Sequence, residues 1–172
     1  MADHVDLYDQ DFLAWTQEQA ARLRQAAASR VNAPIDWEHV AEEIEDLGKA
    51  QRHELKSRLR TIVEHLLKLQ HSPSQAPRPD WIGTVLRSRL EVQDIFDDSP
   101  SLKPHVPALL RKAQQDAVNL VRQSLVDHGE AGPSEAAAIG AVPMTEEQVL
   151  GDWLPPAPVS APTPSRHRRT KH

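Results

Sequence analysis

Apolar residues return along this chain at helical spacing, and no segment alternates with the period of a strand. Tyr8, Phe12, Trp15, Leu23 and Ala27 fall on one stripe and predict a helix from about Asp9 to Arg30. Asn32-Ala33-Pro34 ends it, because proline cannot continue a helix and restricts the residue before it. Asp36 is a fitting N-cap for a second helix reaching about Gln70. Its stripe runs Trp37, Val40, Ile44 and Leu47, then Leu55, Leu59, Ile62, Leu66 and Leu69. At 1.5 Å per residue this helix spans roughly 50 Å. Gly48 stands at its middle, where glycine costs about 1 kcal/mol against alanine, so a kink is expected there.

A proline-rich loop, His71 to Pro79, precedes a third helix that starts near Asp80 and carries Trp81, Val85, Leu86, Leu90 and Phe96. Asp97-Asp98-Ser99-Pro100-Ser101 breaks it. A fourth helix follows from about Ser101 or Pro104 to His128, with Gly129 as its stop. Residues 129–143 are rich in Ala, Gly and Pro and read as irregular. Thr145-Glu146-Glu147-Gln148 has the form of a capped helix start, giving one short helix to about Asp152. From Pro155 the chain is Pro, Ser, Ala and basic residues, which cannot bury apolar surface, so a disordered tail is expected.

The pattern therefore predicts an all-α protein. It is an up-down bundle of about four helices with a long second helix, over residues 1–154, and a tail over 155–172. Antiparallel neighbours pair about their connecting loop. The first helix should cover the front half of the second, and the third and fourth its rear half. A straight second helix then keeps a partly bare apolar flank, which either a bend at Gly48 or a second copy of the chain would cover. A homodimer is one expectation from this geometry.

Composition narrows the chemistry. With no cysteine there is no disulfide, thiolate metal site or cysteine nucleophile. A net charge of -5 speaks against wholesale binding to nucleic acid and suits a cytoplasmic protein. No run of about 18 apolar residues exists to cross a membrane. The first residues lack the basic-then-apolar pattern of a secretion signal. The six glycines form no phosphate-binding loop, and no Gly-x-Ser-x-Gly elbow occurs.

Several blocks together resemble a known family. Leu7-Tyr8-Asp9-Gln10-Asp11-Phe12 with Trp15, and Ile35-Asp36-Trp37 leading to Glu42-Glu43-Ile44-Glu45-Asp46-Leu47-Gly48, resemble the opening of the bacterial domain-of-unknown-function family 29. His65-Leu66-Leu67-Lys68, then Trp81 with Thr84, Arg87 and Arg89, then Ser99-Pro100-Ser101-Leu102, resemble its later blocks, and Pro143 to Pro155 its ending. Leu69 stands where the family suggests an aromatic residue, and Gln114 where it suggests tyrosine. The resemblance implies an all-helical fold and a bacterial origin. It implies no activity.

Four groups of residues are worth weighing for chemistry. Glu42, Glu43, Glu45 and Asp46, with His39, form an acidic run that could ligate a metal, against the plainer reading of a solvated face near a helix start. The Glu-x-x-His pairs of di-metal bundles are missing, so no metal or cofactor is assigned. Were the chain an enzyme, His65, Glu43 and Arg89 would be its catalytic candidates. Asp11, Glu54, Arg58, His65 and Arg89 fall at a similar level when the helices pair. They form either a polar layer fixing register or an anion-binding pocket, since arginine offers a planar fork to such groups. Last, Arg166, Arg168, Arg169 and Lys171 could touch nucleic acid weakly, though no aromatic residue interleaves them for stacking. The leading expectation is a non-enzymatic helical protein acting through contacts with a protein partner.

Overall fold

A computed structural model describes residues 6–29, 35–156 and 158. They form α1 (Leu7–Gln10), α2 (Phe12–Ala28), α3 (Trp37–His71), α4 (Arg78–Asp98), a 3-10 turn (Pro100–His105), α5 (Val106–Asp127), α6 (Pro133–Ala138) and α7 (Glu146–Leu150). No strand occurs among the described residues. The basic end, with Arg166, Arg168, Arg169 and Lys171, lies outside them.

The long second helix is α3, and Asp36 caps it by accepting from His39 N. The rear half of α3 is the axis of the core. Leu55, Leu59, Ile62, Leu66 and Leu69 are fully buried against Val85 and Val92 of α4 and Val106, Ala113, Ala117 and Val121 of α5. Ile139, Met144 and Val149 from the C-terminal segment join them. Each of the Leu, Ile, Val and Met side chains contributes about 1.5–3 kcal/mol on leaving water. Leu102 of the 3-10 turn, also fully buried, completes the core beside the start of α5.

Several local expectations need correcting. The first predicted helix is two, because Asp11 leaves the helical conformation (φ -155°, ψ 90°) and caps α2 rather than continuing α1. The fourth helix starts as a 3-10 turn, since Pro100, Pro104 and Pro107 remove the amide donors that an α-helix would use. Residues 133–138, expected to be irregular, form a helical turn with proline at its first position.

The front half of α3 corrects the phase of the predicted stripe. Ala41 and Gly48 are buried beneath α2, whereas Val40 and Leu47 are 40% and 48% exposed. Gly48 is a place of close approach. A Cβ built there would lie 2.4 Å from Thr16 Oγ1 and 2.8 Å from Leu13 Cδ1. The helices meet through small groups, Thr16 and Ala20 on α2 and Ala41 and Gly48 on α3, so large apolar side chains beside them are turned aside.

Polar ties close the ends of the bundle. Glu130, just past α5, accepts from Ser72 Oγ at 2.5 Å and Ser74 Oγ at 2.8 Å, fastening the loop after α3. The Ser72 bond, with the Ser74 bond adding, holds the Glu130 carboxyl below the usual glutamate range. A carboxylate with a lowered folded-state pKa gives stability that is present above its unfolded pKa and lost as pH falls through the folded one. Glu130→Gln should therefore lose about 1 kcal/mol at neutral pH, and the deficit should shrink below the usual glutamate range. Melting curves of both proteins against pH measure this; a deficit unchanged in acid would break the argument.

Candidate functional site

Asp11 accepts from Ala14 N at 2.9 Å as the cap of α2, and from Ser101 N at 2.7 Å and Ser101 Oγ at 2.8 Å. Two residues along, Leu13 N donates to Ser99 Oγ at 3.1 Å, and Ser99 Oγ donates to Gln51 Oε1. The start of α2, the middle of α3 and the turn after α4 are thus sewn together by side chains of buried or half-buried residues. Asp11→Ala removes a cap and two interhelix bonds, so about 2 kcal/mol should be lost. That is roughly 5 °C in a chain of this size, read from a melting curve. A variant that melts like the parent would refute the structural role.

Arg58 pairs with Glu54 at 3.2 Å and with Glu91 of α4 at 3.0 Å, in a half-exposed position. His65 Nδ1 donates to Thr61 O at 2.9 Å, one turn back on its own helix, from a half-buried ring. Arg89 reaches the C-terminal segment. Its Nε donates to Val149 O at 2.9 Å, and its Nη2 to Gln148 O at 2.9 Å and Trp153 O at 2.8 Å. Burial lowers the Arg89 pKa, opposed by Asp152, but from so high a starting value that it stays charged. No hydrogen bond or ion pair among the described residues joins any two of Asp11, Arg58, His65 and Arg89. Asp11, Arg58 and Arg89 each fasten a different pair of segments, and His65 bonds within α3 alone.

The acidic run occupies the exposed side of α3. Asp36 pairs with His39, Arg24 with Glu45 and Lys49 with Asp46, while Glu42 and Glu43 have no ion pair among the described residues. Nowhere among the described residues do three or more His, Asp or Glu side chains converge as they would around a metal ion. Among the described residues no helix is long and apolar enough to cross a membrane.

Sequence reasoning missed a groove on the other side of the bundle. An open groove of about 870 Å³ runs between α5 and residues 140–146, lined by Leu110, Arg111, Gln114, Val118, Arg122 and Met144 among others. Two of its polar groups, Gln114 and Arg122, are spent on the segment that forms its wall. Gln114 donates to Met144 O at 2.8 Å and accepts from Met144 N at 3.1 Å, and Arg122 donates to Ile139 O and Ala137 O. The one signal was Gln114, standing where a tyrosine was suggested. A smaller hollow of about 350 Å³ lies where Tyr8, Asp9, Phe12, Gln51 and Asp98 meet. There Tyr8, Phe12 and Trp15 pack on one another, with ring centroids 4.9–5.9 Å apart.

That hollow opens beside an uncovered face. Gln51 follows Leu47 by one turn, and α4 ends at Asp98, in the wall of the hollow. In front of it, Leu47 and Val40 are exposed and Ile44 and Trp37 are partly so. This face offers apolar contact area flanked by acids.

Comparison with known proteins agrees with the fold and adds no activity. No curated protein matches the chain. The crystal structure of an alpha-helical protein of unknown function from Rhodospirillum rubrum is similar. It has 25% identity and a TM-score of 0.67 over 86% of this chain and 90% of that one. The model of the family described as domain of unknown function DUF29 matches residues 7–154, most of the chain. The chain belongs to the domain of unknown function DUF29 family.

Proposed function

We propose that this chain is a non-enzymatic helical module that works by binding another protein along the front half of α3. One observation carries the reading: Val40 and Leu47, large apolar residues at heptad spacing, stand 40% and 48% exposed on a face that α2, α4 and α5 leave uncovered. Large exposed apolar residues lined up on one side mark contact surfaces more often than solvated ones do. Arg58 is held by two carboxylates and Arg89 by three backbone carbonyls, with only its Nη1 buried without a partner, and His65 bonds within its own helix.

The test is the size of the protein in an extract of the cells that make it, by sedimentation. We expect a particle larger than the 19.2 kDa chain. Leu47→Asp should return it to one chain while leaving the melting temperature unchanged, because the site is exposed. A single-chain size in the extract would overturn the reading. So would a metal or small molecule that raises the melting temperature by binding a site.

A further inference from the structure

We infer that the partner seated on this face is a basic amphipathic α-helix of another protein, an inference that rests on the contact reading above. The first argument is spacing. Trp37, Val40, Ile44 and Leu47 follow one another at three, four and three residues, the seam that one helix presents to another. The neighbouring positions on one side, Ala41 and Gly48, are buried under α2. The open side beyond the seam is edged by Asp36, Glu43 and Ala50, all exposed. The seam is about 15 Å long at 1.5 Å per residue. It suits a rod of side chains at helical spacing better than an extended strand, which would need a sheet edge to pair with.

The second argument is charge. From Asp36 to Leu47 the helix carries six acids and no lysine or arginine. Asp9 and Asp98 add exposed carboxylates at the hollow where the seam ends. Glu45 and Asp46 are paired with Arg24 and Lys49, and Asp36 with His39, but Glu38, Glu42 and Glu43 have no ion pair among the described residues, so a partner there meets net negative charge, and lysine and arginine around its apolar stripe bring it in and fix its register. The same charge disfavours a second copy. Laid antiparallel, two such helices bring the Asp36 and Glu43 edge of one against the same edge of the other, like charge on like charge. The basic end of this chain is also a poor occupant, since residues 155–172 are interrupted by prolines and carry Val159 as their one large apolar residue.

The probe is a synthetic peptide of about three heptads, with leucine at the seam positions and lysine elsewhere, labelled for fluorescence anisotropy against the full chain. We expect it to bind, and Leu47→Gln to weaken binding at least about tenfold although the charge is unchanged. Glu43→Lys should weaken it at low salt and less at high salt. The same peptide with glutamate for lysine should not bind. Failure of the lysine peptide to bind, equal binding to Leu47→Gln, or equal binding of the glutamate peptide would each overturn the inference. So would a purified chain that sediments at twice 19.2 kDa and falls to one chain with Leu47→Gln, which would give the face to a second copy. That last result, or a large particle in extract without peptide binding, would leave the protein-contact reading standing.

Discussion

Arg89→Ala should lose about 3–5 kcal/mol, the largest effect expected of any polar substitution in this chain. The guanidinium holds Gln148 O and Val149 O, which belong to the last turn of α7 and have no partners within the helix, together with Trp153 O beyond it. Bonds from a charged donor are stronger than neutral ones, and here they shut a half-buried corner where water replaces them poorly. Without them, the segment that brings Ile139, Met144 and Val149 into the core is fastened mainly by Gln114 and Arg122. Melting should fall by roughly 10 °C, and amides from 139 to 154 should lose exchange protection before those of α3. Arg89→Lys should recover only part, because one ammonium cannot fork to three carbonyls. A loss below about 1 kcal/mol, or uniform loss of protection, would show that the segment is held by apolar packing alone.

This role for Arg89 was half legible. Its type and its place near an apolar stripe showed that it needed partners, and pairing rules suggested carboxylates. Backbone carbonyls at the end of a short helix are invisible to such reasoning, since every residue has one. Asp11 misled for a related reason: an aspartate just before Phe12 reads as well inside a helix as at its cap. The deciding fact is Ser101, ninety positions away. The rear half of α3 was easy to read because large aliphatic residues alone can fill a core. The front half was not, because there the buried side is made of Ala41 and Gly48 and the large residues are left outside.

The residues that carry the family resemblance prove to be partners in space. The block ending at Phe12 meets the Ser99-Pro100-Ser101-Leu102 block through Asp11 and Ser101, and Arg89 meets the closing block at 148–153. Such ties explain why these residue types stand where they do without invoking any reaction. They set the ends of α2, α4 and α7 against α3. The front of α3 is thereby held out beyond the end of α4 with one side open, so the ties and the open seam are two consequences of one arrangement.

Gly48 supplies the sharpest test of that arrangement. A glycine serving as a hinge would gain stability on replacement by alanine, about 1 kcal/mol from helix propensity alone. A glycine serving as a place of close approach should lose it. The added Cβ meets Thr16 Oγ1 at 2.4 Å and Leu13 Cδ1 at 2.8 Å, distances that cannot persist. Thr16 is fully buried and its hydroxyl donates to Leu13 O at 2.8 Å, so it cannot swing aside without breaking that bond. Gly48→Ala should therefore cost about 1–2 kcal/mol net, and Gly48→Val, with two more carbons, about 3 kcal/mol or more. Because α2 must lift away from α3, the Leu13–Ser99 bond that ties the hairpin to the bundle should loosen with it. Thr16→Ala added to Gly48→Ala should restore most of the loss by removing the opposing hydroxyl and methyl. Melting curves of the two single variants and the double one close the cycle. A Gly48→Ala protein more stable than the parent would return the residue to the part of a hinge.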